Sequence, residues 1–418
     1  MSATHYLRSD CRLCHSTDVE KVLSLAPTPP ANELLSLCSD ASNQEKFPLD
    51  LYFCNRCYHL QLFNVVSPQR LFGNYVYVSG TTPSFRHHFQ EYAKNVVEEY
   101  GVDDGSLVVD IGSNDGTLLS SFKHLGMRVQ GVDPAKDIAL TADANGIDTI
   151  VDFFTPEVAR QIRDVKGTAK IVVANNVFAH IDDLHAILAG VDVLLHSTGL
   201  LVLEVSYLKD VIEKTLFDTI YHEHLDYHSV GSLKSFFDSN GFDIVDVVAI
   251  ESHGGSIRVV VQRRNGGHEI KPAVASTIAQ ENAAGLYLAD TYRDYDRKIT
   301  ELGNALTALI TDIKHEGKSI AAYGLPAKAT TLMHQFNIGA EAIDYVVDDS
   351  PLKQGLYSPG YGIQIDNSER LKADMPDYII ILAWNFAQPI IENLKWFLEA
   401  GGVIIVPLPE IQIVRNND

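Results

Sequence analysis

Val108-Val-Asp-Ile-Gly-Ser-Asn-Asp-Gly-Thr-Leu118 is the stretch that decides the fold class. A hydrophobic run breaks into a turn bracketed by Gly112 and Gly116 and then resumes with helical spacing, which predicts a strand, a tight loop and a helix. At the carboxyl end of a strand in an open parallel sheet, such a loop brings backbone N–H groups close to a nucleotide, because glycine carries no Cβ. A G-x-G-x-x-G loop serves a pyrophosphate, but here the third position is Asn114, and Asn114 and Asp115 fill the turn. Asp115 would repel a pyrophosphate and favour a cationic ligand. About twenty residues on, Arg128-Val-Gln-Gly-Val-Asp133 reads as a second strand ending in an acid that can take both hydroxyls of a ribose.

Lys170-Ile-Val-Val-Ala-Asn-Asn-Val-Phe-Ala-His180 reads as a further strand of the same set, ending in Asn175-Asn176. Loop, acid and strand together resemble the class I methyltransferases that use S-adenosylmethionine (SAM), a ligand carrying an ammonium and a sulfonium. That resemblance implies cofactor contacts from Asp110, Gly112, Asn114, Asp115, Gly116, Asp133 and Asn175. Asp152 and Phe153, just past the third strand, would lie against adenine. The alternative is a doubly wound fold that holds NAD or no nucleotide.

The chain has 418 residues, more than one typical domain needs, and its 46% hydrophobic content can build two or three cores. Its formal charge of −21, without a basic run, argues against nucleic acid or an anionic membrane as partner. The opening Met1-Ser-Ala-Thr-His-Tyr-Leu-Arg8 has no apolar core of a leader, and no apolar stretch reaches about eighteen residues. The expectation is a soluble cytoplasmic protein.

Four of the five cysteines form two C-x-x-C pairs, Cys11/Cys14 and Cys54/Cys57. Two such turns present four thiolates to one ion, which suits structural zinc with no open position for catalysis. A disulfide or redox pair is the alternative; Cys38 is expected to be a small packed side chain. Residues 1–80 then form a small zinc-binding module that could not bury enough apolar surface unaided. Within it, the prolines of Leu25-Ala-Pro-Thr-Pro-Pro-Ala-Asn-Glu-Leu34 predict an ordered loop without regular structure.

Residues 81–265 alternate strand and helix, with strands near 107–112, 128–133, 147–151, 170–175, 199–206, 243–250 and 256–262. The last two are joined at Glu251-Ser-His-Gly-Gly255, a hairpin signal, so a mostly parallel seven-stranded Rossmann-like sheet is expected. Residues 266–418 open with amphipathic linker helices. They continue as a smaller Rossmann-like α/β domain with strands near 319–324, 344–349, 378–384 and 402–407 and a helix over 328–336.

Tyr221-His-Glu-His-Leu-Asp-Tyr-His228 packs three histidines, two tyrosines and two acids into eight residues just after the fifth strand, where doubly wound sheets place substrate. The cysteine pairs, Pro-Pro-Ala-Asn32, the glycine loop, Tyr221-His-Glu-His, His253-Gly-Gly-Ser-Ile-Arg258 and Tyr323-Gly-Leu-Pro-Ala-Lys328 together resemble the zinc-containing sugar C-methyltransferases. These act on nucleoside-diphosphate keto-deoxysugars. The resemblance implies His224 as the base that makes an enolate, Tyr221 steadying its oxygen, Glu223 orienting the imidazole or the sugar, and His180 near the sugar. Tyr75 and Tyr77 are candidates for the mouth of the ligand site, and His253, Arg258 and Lys328 for substrate binding, with Arg258 and Lys328 gripping the diphosphate from two sides. Methylation of oxygen or nitrogen would use the same residues. An NAD-dependent oxidoreductase or epimerase would need a Tyr-x-x-x-Lys pair, but Leu225 stands at that offset from Tyr221. A noncatalytic zinc scaffold is a third reading, and it leaves the histidines unexplained.

Overall fold

A computed structural model describes residues 5–72, 83–251 and 254–416. The chain begins with β1 (His5–Leu7), β2 (Val19–Thr28), β3 (Phe47–Cys54), β4 (Leu60–Leu62) and β5 (Asn64–Val66). The two C-x-x-C turns within this region are built alike. His15 N–H reaches the Cys11 carbonyl and Tyr58 N–H the Cys54 carbonyl, both at 2.9 Å. The residue after each pair takes a positive φ, 54° at His15 and 63° at Tyr58.

The Pro-rich segment departs from expectation, because β2 runs on through Pro27 to Thr28. β2 is an edge strand, and its ladder with β3 skips between Leu25 and Thr28, so the missing proline N–H breaks no bond. Cys38 also departs: it is exposed rather than packed.

Then follow β6 (Leu107–Ile111), β7 (Arg128–Val132), β8 (Thr149–Ile150), β9 (Ala169–Asn175), β10 (Leu195–Ser206), β11 (Asp226–Tyr227), β12 (Phe242–Ile250) and β13 (Ser256–Arg263). All but β11 join in the order β12-β13-β10-β9-β6-β7-β8, with only β13 antiparallel to its neighbours. The order reverses between β6 and β9, which opens a crevice at their carboxyl ends. Alternate residues of these strands are buried on opposite faces. Val109 and Val172 face the helices Pro156–Lys166 and Leu184–Leu194, while Val108 and Ile171 face Pro83–Glu99 and Thr117–His124.

The helices Pro272–Ala283 and Ala289–His315 lead to β14 (Ile320–Tyr323), β15 (Tyr345–Val347), β16 (Ile365–Asp366), β17 (Tyr378–Ile381), β18 (Val403–Val406) and β19 (Gln412–Val414). This sheet runs β16-β15-β14-β17-β18-β19, so β16 and β19 extend the four strands expected from sequence. One core cluster joins Leu23, Leu49 and Phe53 of the N-terminal sheet to Tyr292, Ile299 and Leu306 of the long helix and to Ile320 and Val346 beyond it. Strands β2, β3 and β4 therefore share a core with the sheet of the last hundred residues.

Fully buried Glu281 shows how the linker helices support the centre. Its carboxylate accepts from Val230 N (2.7 Å), Gly231 N (2.9 Å) and Tyr287 O–H (2.5 Å), at the N-terminus of the helix Val230–Ser239 that follows the histidine run. Glu281→Ala strands these donors in a dry site, and the expected cost is about 2–4 kcal/mol. A denaturant midpoint shift with unchanged slope measures it.

Candidate active site and metal centre

The glycine loop follows β6 directly. Gly112 has φ 72°, and a Cβ there would lie 2.4 Å from Val177 Cγ2, so only glycine fits. Gly116 (φ 77°) precedes the helix Thr117–His124, and Asp115 accepts from Thr117 N (3.2 Å) and Oγ1 (2.7 Å). Asp133 accepts from Asn114 N and Ala135 N, both at 2.8 Å, which fastens the end of β7 to the loop. Burial, and then Asp133, raises the Asp110 carboxyl well above its ordinary range. Asp110, Gly112, Asn114, Asp115 and Asn175 line one cleft. Both amide atoms of Asn175 are buried and, among the described residues, neither has a hydrogen-bond partner of ordinary geometry, so this cleft offers a donor and an acceptor to a polar ligand. These features fit SAM. Asp152 and Phe153 lie past β8, where Phe153 N–H donates to Asp152 Oδ1 at 2.7 Å.

The four cysteine Sγ atoms lie within 4.8 Å of one another, with Cys11–Cys57 at 3.5 Å and Cys14–Cys54 at 3.6 Å. Tetrahedral zinc–thiolate bonds of about 2.3 Å put sulfurs about 3.8 Å apart, so the cluster fits zinc. Among the described residues no other group of three or more His, Cys, Asp or Glu is close enough to hold a metal. His222, His224 and His228 thus form no second centre: His222 Nε2 donates to the Phe47 carbonyl, and buried His228 lies against His59. Burial pushes both His222 and His228 down to about 4.

His224 is held differently. Its Nδ1 lies 2.7 Å from the Thr219 carbonyl, which can only accept, so in the neutral ring Nδ1 carries the proton and Nε2 the lone pair. The Tyr221 hydroxyl stands 3.2 Å from that Nε2. His180 lies beside it, ring centroids 5.1 Å apart, and burial, then His224, holds His180 well below the ordinary histidine range. Buried Glu223 accepts from Asn32 Nδ2 at 2.7 Å, and burial raises its carboxyl to about 7. This arrangement sets an imidazole against a hydroxyl, with a carboxyl near neutrality close by in sequence.

The two-sided diphosphate grip is not what the structure brings together. Arg258 is buried, with Nη2 3.0 Å from Glu204 Oε2 and its guanidinium 3.8 Å over the Tyr92 ring. Glu204 also meets His88 Nε2 at 2.8 Å, and against the effect of burial His88 and Arg258 hold its carboxyl low. Arg258 is therefore neutralised on its own sheet by the strand pairing Glu204 with Arg258. Lys328 Nζ lies 3.8 Å over the Trp384 ring and 3.8 Å from buried Asp218, which also accepts from Trp384 Nε1 at 2.6 Å. Burial lowers the Lys328 ammonium. Tyr75, Tyr77 and His253 lie outside the described residues.

Sequence reading missed Asn32, Asp218 and Trp384 as neighbours of the histidine run. The Pro-Pro-Ala-Asn32 motif carried a signal for Asn32; Asp218 and Trp384 carried none. The C-terminal helix Ala327–Gln335 adds another bond, Thr331 Oγ1 to the Ile220 carbonyl at 2.8 Å.

Family models match in three consecutive parts: "Putative zinc binding domain" over 11–72, "Methyltransferase domain" over 85–247 and "C-methyltransferase C-terminal domain" over 251–409. The C-methyltransferase NovU of Streptomyces niveus is 40% identical over 405 residues, 97% of this chain and 96% of that protein. Among solved structures, magnesium protoporphyrin IX methyltransferase from Synechocystis is 17% identical, covering 47% of this chain and 89% of its own, with a TM-score of 0.34. The PH0226 protein from Pyrococcus horikoshii is 14% identical, covering 47% and 98%, with a TM-score of 0.36. Among the described residues no helix is long and apolar enough to cross a membrane. With a relative of this identity matched end to end and the three models in series, the chain belongs to the zinc-binding, SAM-dependent C-methyltransferases.

Proposed function

We propose that the chain methylates the carbon next to the ketone of a nucleoside-diphosphate keto-deoxysugar, through an enolate. The observation that carries this reading is the fixed tautomer of His224, whose Nε2 lone pair shares a hydrogen bond with Tyr221. A ketone acidifies the adjacent C–H enough for an imidazole to remove the proton. In this reading the Tyr221 hydroxyl gives up its bond to His224 Nε2 and turns to donate to the enolate oxygen, while the freed Nε2 lone pair takes that proton and the C–H electron pair becomes the enolate. Glu223, anchored by Asn32, orients a sugar hydroxyl, and neutral His180 packs against the sugar beside His224. SAM, held by Asp110, Gly112, Asn114, Asp115, Gly116, Asp133, Asp152, Phe153 and Asn175, supplies an electrophilic methyl.

The nucleotide would lie toward the C-terminal crevice at β14 and β17, where Lys328 and Trp384 stand over Asp218. Residues 1–80, 81–265 and 266–418 would then each contribute a wall of one site. NovU is named as a C-methyltransferase, which supports transfer to carbon. The test is incubation with methyl-deuterated SAM and a panel of nucleoside-diphosphate 4-keto-6-deoxysugars, followed by mass spectrometry and NMR. Label on a branched ring carbon is expected. Label on oxygen or nitrogen would overturn the enolate; no transfer to any member, with SAM still raising the melting temperature, would overturn the sugar.

A further inference from the structure

We infer that the zinc knuckles are a positioning device for the active site, acting through Arg12 and His59. Arg12 lies between two of the clustered cysteines, and its side chain is fully buried. Its Nε is 2.9 Å from Asp182 Oδ1 and 3.9 Å from Asp226 Oδ2. Asp182 stands two residues beyond His180, and Asp226 two residues beyond His224. One guanidinium from the first knuckle therefore ties together the two segments that carry the paired histidines.

The second knuckle supplies the other hand. His59, two residues past Cys57, is fully buried and donates from Nε2 to Asp226 Oδ1 at 2.5 Å. Asp226 and Tyr227 form β11, which pairs antiparallel with β4, the strand just after this knuckle. The histidine run thus ends as an added strand on the zinc-binding module's own sheet. A buried carboxylate needs fixed partners, because a displaced partner leaves a charge uncompensated in a dry site. Asp226 meets this condition: burial alone would raise its carboxyl, yet Arg12 and His59 hold it low.

Asp226 and His224 also line the same small cavity with Thr219, the residue that fixes the His224 tautomer. A shift of Asp226 therefore moves the chain two residues from His224 and the wall of the cavity they share. The separation of His224 and His180 is thereby set from the metal side, by residues that touch neither substrate nor cofactor.

This inference rests on the proposed roles of His224 and His180. The experiment is steady-state kinetics on Arg12→Gln, Arg12→Lys and Asp182→Asn, with zinc content, SAM affinity and the histidine 15N NMR spectrum measured in parallel. Arg12→Gln is expected to lower kcat about 100-fold, because misplacement by about 1 Å can cost that much. KM, zinc content and SAM affinity should stay within about twofold, and the His224 and His180 signals should move. Arg12→Lys, which keeps the charge but not the fork, should recover part of the loss. Unchanged kcat in folded Arg12→Gln would overturn the inference, as would a loss matched by lost zinc or lost SAM binding. If Arg12→Gln does not fold, Asp182→Asn decides: about a tenfold fall in kcat supports the inference and none overturns it. His224→Gln run alongside separates the two failures. If it keeps full activity, the site reading has failed; if it is inactive while the Arg12 and Asp182 variants are normal, only the positioning role has failed.

Discussion

His224→Gln is expected to lower kcat by about 1,000-fold while SAM affinity stays within about twofold of wild type. Glutamine keeps a polar end for the Thr219 carbonyl but has no lone pair basic enough to take a carbon-bound proton. Positioned general bases contribute about 100- to 10,000-fold, which sets the scale. The cleft lined by Asn114 and Asn175 is built by other elements, and its loop keeps the bond from Asn114 N to Asp133, so cofactor binding should persist. The sharper readout is proton exchange. With a keto-deoxysugar in deuterated water, wild type should exchange the C–H next to the ketone without completing transfer, and His224→Gln should not. Persistent exchange in the variant would move the base to another group, with His180 the first to examine.

Cys54→Ser is expected to abolish stoichiometric zinc and to lower the melting temperature by more than about 10 °C. A serine hydroxyl is a poor zinc ligand, and binding of structural zinc to a four-cysteine site is worth about 10 kcal/mol or more of folding free energy. The damage should spread. Cys11, Leu13, Cys54 and Cys57 are buried in the same cluster as Phe178 and Phe236 of the central sheet's helical layer, while Leu49 and Phe53 share a core with the C-terminal domain. Metal analysis and scanning calorimetry test this, and equal zinc in variant and wild type would remove the metal assignment. Activity should fall with the zinc, since β11 is paired onto this module's sheet.

Much of the site was legible because its signals are local. Gly112 and Gly116 adopt positive φ within one turn, Asp133 closes onto a loop nineteen residues back, and each cysteine pair is spaced to form a knuckle. The error at Pro27 came from reading proline without knowing that its strand is an edge with a skipped ladder bond. The expected pairing of Arg258 with Lys328 on one diphosphate departs from the structure for another reason. A free cation and a neutralised one look the same in sequence, and the carboxylate that neutralises Arg258 lies 54 residues away.

The sequence alone determined the cofactor class, the four-thiolate metal set and the position of the histidine run after the fifth strand. These follow from backbone permissiveness, ligand chemistry and hydrophobic period, all of which act over short stretches. Only the tertiary structure decided which charges are available and what holds the histidines in place. Asn32 meets Glu223 from 191 residues away, and Arg12 meets Asp182 from 170. A buried ion must find its counter-ion wherever the packed chain brings one, and no local rule in the sequence states where that is.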